Sequence, residues 1–295
     1  MTYWRMTEPP GGSFQGGTRE SKTGLSYSTS LAALTDAGNA NNFFTRSPES
    51  LEALAVEAAR LAYLDVREDV AALSNYLKRV NLELVANPFD DGNTQAYLAE
   101  CSHLRLLAFR GSDDLKAWQT NIRGLPVMWQ GPGEVHEGFA EAFEAAWPEI
   151  GKDLTRSNGR PLIITGHSLG GALATLAAVH CPQALVYTFG APRVGNQAFA
   201  HAFAARGQQL HRFVNHRDPV PLLPPGFIGY RHVGLAYYID KVGTVRAMPP
   251  LKRRKTYKDM RQVLNQIMDA LNQPKSIPRS DLTDHSPLNY VSALK

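Results

Sequence analysis

Beyond residue 46, short apolar runs alternate along the chain with segments whose apolar residues recur at helical spacing. This pattern predicts alternating strands and helices. Short apolar runs, partly β-branched, predict buried strands at residues 82–86, 96–98, 104–109, 162–165, 184–189 and 210–215. Longer segments with apolar residues at helical spacing predict helices at residues 51–62, 139–150, 172–179, 197–205 and 258–271. This alternation favours an α/β fold, with a mostly parallel central sheet and helices on both faces.

The N-terminal region departs from this pattern. Residues 1–46 are rich in Gly, Ser, Thr and Asn and have little apolar periodicity, which indicates a flexible or loosely docked extension. Ser47 and Pro48 then predict an N-cap followed by proline at the first helical position. We therefore expect an N-terminal extension over residues 1–46 and one α/β domain over residues 47–295.

Composition narrows the class of protein. A chain of 295 residues with 43% hydrophobic and 20% charged residues is long and apolar enough for a full core. The net charge of +4 gives no case for a nucleic-acid partner, and no apolar run approaches the roughly 18 residues of a membrane span. The N-terminus lacks an apolar signal core, which predicts a cytoplasmic protein unless a leader was removed or secretion takes another route.

The residues that most often bind metals show no metal-binding pattern here. Cys101 and Cys181 lack metal-ligand or CxxC spacing, so we interpret both as free thiols, with one disulfide as the lesser alternative. Five histidines without ligand-like spacing are expected to be surface or packing residues; they are His103, His180, His201, His211 and His216. We expect neither a metal nor a cofactor.

A Gly-x-Ser-x-Gly motif at residues 166–170 lies between a predicted buried strand and a helix of small residues. A serine nucleophile needs a neighbouring base and a rigid, exposed mounting. A sharp strand-to-helix turn provides the mounting, and glycine tolerates its backbone. Ser168 is therefore the candidate nucleophile. The N–H of Leu169, at the positive end of the helix, is a candidate oxyanion donor.

The partners of Ser168 are sought after it, because such hydrolases have the chain order nucleophile, acid, histidine. No Glu follows Ser168, and Asp218 is the best-placed aspartate, since it comes after a predicted strand and before a proline. Only His232 and His285 follow Asp218. His285 lies in a polar loop and is favoured as the base, while His232 better fits a strand or a pocket wall. His136 and His167 are further candidates for lining the pocket.

Six sequence blocks together resemble the class 3 lipases, the fungal-type triacylglycerol lipase family of the α/β-hydrolases. They are residues 109–112, 135–139, 166–171, 187–196, 215–221 and 284–290, and the resemblance covers about residues 50–295. It implies an α/β-hydrolase fold and a cofactor-free triad of Ser168, Asp218 and His285. It also implies that Ser112 donates to the oxyanion together with Leu169, a role that the sequence pattern does not predict. The secreted fungal members have disulfides that two cysteines cannot reproduce, which counts against secretion.

The segment after Ser112 has an apolar stripe of Leu115, Trp118, Ile122 and Leu125 at helical spacing. By itself this pattern favours a surface helix that packs on the core. The resemblance instead implies a helical lid from residue 113 to about residue 130, with Trp118 facing the pocket.

A basic run, Lys252-Arg253-Arg254-Lys255 with Lys258, opens the helix predicted at residues 258–271. A solvated helix end is the simpler interpretation. The alternative is a patch that contacts anionic lipid surfaces, where each charge contributes roughly 1 kcal/mol.

The function predicted from these residues is hydrolysis of carboxylic esters, with acylglycerols as the expected substrate. Feruloyl esterase and phospholipase A1 are alternatives on the same scaffold, and a non-catalytic binding protein is the alternative from another class.

Overall fold

The computed structural model describes residues 42–65, 69–112, 125–130, 133–155, 159–248 and 283–294. Its helices are α1 (Leu51–Leu61), α2 (Val70–Lys78), α3 (Glu137–Thr155), α4 (Leu169–His180), α5 (Gln197–Ala205) and α6 (Pro287–Leu294). The strands are β1 (Glu83–Leu84), β2 (Phe89–Asp90), β3 (Gln95–Glu100), β4 (Arg105–Phe109), β5 (Pro126–Met128), β6 (Glu134–His136), β7 (Leu162–His167), β8 (Leu185–Phe189), β9 (Gln209–Asn215), β10 (Leu235–Ile239) and β11 (Val245–Ala247). Short 3₁₀ turns cover Val220–Leu222 and Gly226–Ile228.

One large sheet organises the molecule, with the strand order β1-β3-β4-β7-β8-β9-β10-β11 and β2 also paired with β3. The five strands from β4 to β10 in this order run parallel, and the outer pairs are antiparallel. Because α4 and α5 connect consecutive parallel strands, the carboxyl ends of β7, β8 and β9 meet at one edge of the sheet. Ser168 and Asp218 follow two of these strands.

Alternating side chains of the strands build a hydrophobic core on each face of the sheet. Ile164, on one face, belongs to the core that α3, α4 and α5 cover, and Ile163 belongs to the core that α1, α2 and α6 cover. Such near-continuous apolar strands are expected where both faces of a parallel sheet are buried. The predicted α/β architecture, with a mostly parallel sheet and helices on both faces, is confirmed.

The start of the domain differs from the prediction. The N-cap of α1 is Ser50, whose hydroxyl accepts from the N–H of Ala53 at 3.1 Å, and not Ser47. Phe43 and Phe44 are buried, and the N–H of Phe44 donates to the Glu57 carboxylate at 2.9 Å. The segment from residue 42 therefore packs onto the core, and the predicted boundary at residue 46 is a few residues too late.

Several predicted features fall on residues that the structure does not describe. They are residues 113–124 with Trp118, the basic run at residues 252–258 and the helix at residues 258–271. The lid was predicted to extend to about residue 130, but β5 pairs there with β6 as an antiparallel hairpin. In the described part of the chain, no helix has both the length and the apolar character needed to cross a membrane.

Candidate active site

The motif at residues 166–170 forms a tight turn between β7 and α4. Ser168 has φ 57° and ψ −126°, a left-handed backbone that non-glycine residues adopt only under strain. A Cβ on Gly166 would lie 2.2 Å from the carbonyl carbon of Gly170, and one on Gly170 would lie 2.3 Å from the carbonyl oxygen of Phe109. The two glycines thus allow the close packing that holds Ser168 in this conformation.

A chain of hydrogen bonds joins Ser168, His285 and Asp218. The Ser168 Oγ lies 2.9 Å from Nε2 of His285. On the other side of the ring, Nδ1 lies 3.0 Å and 2.9 Å from the two carboxylate oxygens of Asp218. Since a carboxylate only accepts, Nδ1 carries the proton and Nε2 accepts from the serine hydroxyl. The structure therefore brings together three residues that are predicted to act together.

Asp218 has two further hydrogen-bond donors. Its Oδ1 accepts from the N–H of Val220 at 2.9 Å, and its Oδ2 accepts from the hydroxyl of Tyr290 at 2.5 Å. Burial and the negative charge of Asp218 raise the pKa of Tyr290 well above its usual value, so this hydroxyl stays protonated and can donate. Asp218 is thus a buried, fixed carboxylate.

The loop that carries His285 is tied to the end of β9. The side-chain amide of Asn215 donates to the carbonyl oxygen of Asp284 at 2.9 Å, and the N–H of Arg217 donates to the Asp284 carboxylate at 3.0 Å. The N–H of Asn215 also donates to the Tyr290 hydroxyl at 2.9 Å. These contacts position His285 beside Asp218, although the two residues lie far apart in sequence.

His167 lies beneath the triad, inside the protein. Its Nε2 is 2.7 Å from the carbonyl oxygen of His285, which can only accept, so Nε2 is the donor. Its Nδ1 therefore accepts from the hydroxyl of Tyr63 at 2.7 Å. Both ring nitrogens of His167 thus hold the loop of His285 to the turn, and its place in the pocket lining stays a prediction.

Two other histidines are also placed in ways that the sequence did not predict. His136 is 2% exposed and stacks on Phe139 at 4.3 Å between ring centres, and its role in lining the pocket stays a prediction. His232 lies outside the strands, and its Nε2 donates to the carbonyl oxygen of Pro221 at 2.7 Å. His285, and not His232, is therefore the histidine beside Ser168.

The free energy of unfolding should fall as the pH is lowered from 7.5 to 5.5. Burial, together with the charge of His285, holds the pKa of His167 well below its usual value, and burial and Arg212 do the same for His232. Below about pH 6.5 these two imidazoles bind protons in the unfolded chain but not in the folded one. The free energy of unfolding therefore falls by up to about 1.4 kcal/mol per pH unit for each histidine. Urea unfolding at several pH values measures the slope.

The control for this prediction is the exposed His201 on α5. His201→Asn should leave the pH dependence of unfolding unchanged, whereas His167→Gln should make it shallower, whatever the variant does to stability at pH 7.5. Equal slopes for wild type and His167→Gln would contradict the prediction.

The two candidate oxyanion donors follow neighbouring strands, β4 and β7. Leu169 is the first residue of α4, so its N–H has no acceptor within the helix. Ser112 follows β4, the neighbour of β7, through a close approach at Gly111, where a Cβ would lie 2.7 Å from the carbonyl oxygen of His167. The role of Ser112 stays a prediction.

The serine is covered in this structure. Ser168, His285 and Asp218 are 1%, 1% and 3% exposed. A cavity of about 290 Å³ lies between β2, β3, β4 and the C-terminal half of α3, and none of the three catalytic candidates lines it. No group of three or more His, Cys, Asp or Glu residues in the described ranges could hold a metal ion.

Tyr63, Asn215 and Tyr290 contribute to the site, and the sequence analysis gave none of them a role. Each acts through a contact with a residue more than 65 positions away, which no local pattern reports. The one available signal was the position of Asn215 and Tyr290 inside sequence blocks that resemble the lipases.

Comparisons with known proteins agree with this geometry. Residues 106–227 match the family model for lipase (class 3). The chain is 37% identical over 146 residues to secreted mono- and diacylglycerol lipase 1 of Fusarium solani, covering 46% of this chain and 44% of that protein. It is 33% identical over 164 residues to a lipase of Rhizomucor miehei, covering 50% and 45%. The chain thus spans a little under half the length of these relatives. The Fusarium relative is named as secreted, so a cytoplasmic location has no support here.

Solved structures extend the similarity beyond the matched segment. Lipase II of Rhizopus niveus superposes with a TM-score of 0.57 at 26% identity, covering 67% of this chain and 82% of that one. A triacylglycerol lipase described as having a serine protease triad at its catalytic centre superposes with a TM-score of 0.53 at 27% identity, covering 64% and 77%. With the strained serine turn, the triad and the sheet order, these matches show that the chain has the α/β-hydrolase fold and carries a class 3 lipase segment at residues 106–227.

Proposed function

We propose that this protein is a serine carboxylic ester hydrolase that cleaves acylglycerols through an acyl-enzyme on Ser168. The observation that carries the proposal is the hydrogen-bond chain from the Ser168 hydroxyl through His285 to Asp218, mounted on a strained turn. A buried serine with no catalytic role would not require positive φ, a histidine acceptor and a buried carboxylate together. The lipase names of the relatives support the same activity.

In the first half of the reaction, Nε2 of His285 takes the hydroxyl proton as Ser168 attacks the ester carbonyl carbon. Asp218 keeps the ring in the required tautomer and stabilises the imidazolium that forms. The imidazolium then gives its proton to the departing alcohol. Because Tyr290 and Val220 both donate to Asp218, the carboxylate is held in a fixed position through these steps.

The developing negative charge on the carbonyl oxygen needs donors fixed in advance. The N–H of Leu169 and the N–H and hydroxyl of Ser112 are the proposed donors. Loss of one such donor typically lowers turnover about a hundredfold or more. In the second half of the reaction, His285 takes a proton from a water molecule, whose oxygen attacks the acyl carbon. The bond from that carbon to the Ser168 oxygen then breaks, the imidazolium returns the proton to this oxygen, and the fatty acid leaves.

Two exposed apolar side chains support contact of the protein with a lipid interface. Leu125 and Met128, at and near β5, are 71% and 72% exposed, next to residues 113–124, which are proposed to include the lid. Apolar side chains exposed together favour contact with a lipid interface. Such contact would be peripheral.

The substrate class is tested by the rates on a series of nitrophenyl esters of increasing acyl length, beside dibutyrin, a diacyl phospholipid and feruloyl methyl ester. A lipase should hydrolyse the acylglycerol and the medium-chain to long-chain esters at least tenfold faster than the feruloyl ester. Labelling of Ser168 by an organophosphonate, read by mass spectrometry, is the direct check on the nucleophile. Failure to label would favour a non-catalytic binding protein, and fastest turnover of the feruloyl ester or the phospholipid would favour the alternatives.

A further inference from the structure

The centre of β9 holds an arginine on the sheet face that is otherwise apolar. Arg212 lies between Leu210 and Val214 in the alternation of the strand, and Leu210 belongs to the core beneath α4 and α5. Its partner on β8 is Thr188, and its partner on β10 is Ala236. Paired residues of neighbouring strands point to the same side, so these three side chains form one row across the sheet.

Two polar atoms in this row are left without partners. The Arg212 Nε and the Thr188 Oγ1 are both buried, and neither has a hydrogen-bond partner among the described residues. On the other side of Arg212, Ala236 offers only a methyl group. An unpaired buried donor costs roughly 1–3 kcal/mol, and more when it is charged. Such atoms in native proteins usually indicate a bound water or ion.

The surroundings of this row are cationic. Arg193 and Arg231 converge on Gly226, since a Cβ there would lie 3.8 Å from Nε of Arg193 and 3.9 Å from Nη1 of Arg231. Nη1 of Arg193 donates to the carbonyl oxygens of Leu222 and Pro224, and Nη1 of Arg231 donates to that of Gly226 at 2.6 Å. The acceptors of these hydrogen bonds are neutral carbonyl oxygens. None of the ion pairs between described residues involves Arg193, Arg212 or Arg231.

The pKa shifts of Arg193 and Arg212 agree with positive charges that no described carboxylate balances. Burial, with Arg212 and Arg231 adding repulsion, lowers the pKa of Arg193 to about 10. Burial also lowers the pKa of Arg212 to about 10. At neutral pH both guanidinium groups are still charged, and no described carboxylate acts on either pKa.

We propose that Arg212 and Thr188, with Arg193 beside them, form a binding site for a small carboxylate such as acetate or formate. A carboxylate fits better than a water or a halide because the guanidinium edge presents parallel N–H donors that two carboxylate oxygens accept together. A remaining lone pair accepts from the Thr188 hydroxyl. This site is separate from Ser168 and does not depend on the ester hydrolase function.

The test is thermal unfolding of the whole chain at pH 7.5 in sodium acetate, with sodium chloride at equal ionic strength as the reference. Wild type should show a saturable rise in Tm over chloride of about 2–4 °C, as ligand binding to the native state requires. Arg212→Lys keeps the charge but loses the planar donor pair, and Thr188→Val keeps the shape but loses the hydroxyl. Both should reduce the acetate response.

Ala236→Glu is the sharpest variant, because it places a carboxylate of the chain itself opposite Arg212. It should raise Tm in chloride and abolish the response to acetate, while the neutral control Ala236→Gln should not raise Tm. A response in Ala236→Glu equal to that of wild type would show that acetate binds elsewhere and would overturn the proposal. A wild-type Tm that is the same in acetate and in chloride would also overturn the proposal, because only water would then lie beside Arg212.

Discussion

Ser168→Ala is expected to lower the rate of ester hydrolysis by roughly 10⁵-fold or more while the protein stays folded. The hydroxyl is the only atom removed, and without it no acyl-enzyme forms. Alanine has the same backbone freedom as serine at this position, so the strained turn should persist. The measurement is turnover of nitrophenyl butyrate, with circular dichroism and Tm as the check on folding.

Ser102→Ala provides the matched control for that variant. Ser102 is exposed in the turn between β3 and β4, and the same substitution there should leave turnover within about twofold of wild type. If Ser168→Ala kept more than a hundredth of the wild-type rate after purification from a host without esterase activity, the nucleophile would be another residue. The hydrogen-bond chain would then be a structural feature.

His285→Ala should lower turnover nearly as much as loss of the serine, because residues that act as a unit do not contribute additively. The imidazole is the only group within hydrogen-bonding distance of the Ser168 hydroxyl that can take its proton, among the side chains that the structure describes. Asp218→Asn should cost about 10⁴-fold, since the amide favours the wrong tautomer of His285. The three variants are compared by kcat and KM on one soluble ester.

His201→Ala is the histidine control, because His201 is exposed on α5 and bonds only to Gln197 there. Its turnover should equal that of wild type. A second comparison separates the two histidines that the sequence left open. If His232→Ala abolished hydrolysis and His285→Ala did not, the base would be misassigned, despite the 2.9 Å contact between His285 and Ser168.

The prediction of His285 over His232 rested on loop character and on the resemblance to the lipases, and the geometry that separates the two histidines is tertiary. His285 lies 117 residues after Ser168 in the chain. What holds it in place is a set of contacts from Asn215, Tyr290 and His167, each on a different element. No periodicity or motif reports such contacts, because they depend on which elements become neighbours in the folded sheet.

The same limit explains why the packing at the N-terminal boundary and the contacts of His167 were not predicted. A segment of low apolar periodicity was expected to be loosely attached, yet Phe43 and Phe44 pack into the core. The buried Glu57 carboxylate also accepts the N–H of Phe44. His167 lies on the buried side of a strained turn, and the direction of its side chain follows from that turn and not from its place in the motif.

The sequence by itself determined the fold class, the strand-turn-helix around Ser168 and the position of Asp218 at a strand end. These features are local, since they depend on apolar period, glycine at a tight turn and the chain order of parallel strands. Only the tertiary structure decided which histidine meets Ser168, which tyrosine holds Asp218 and why Arg212 has no counter-charge among the described residues. The physical reason is that hydrogen bonds and charge pairs act between side chains adjacent in space, and sheet register brings together residues that are remote in the chain.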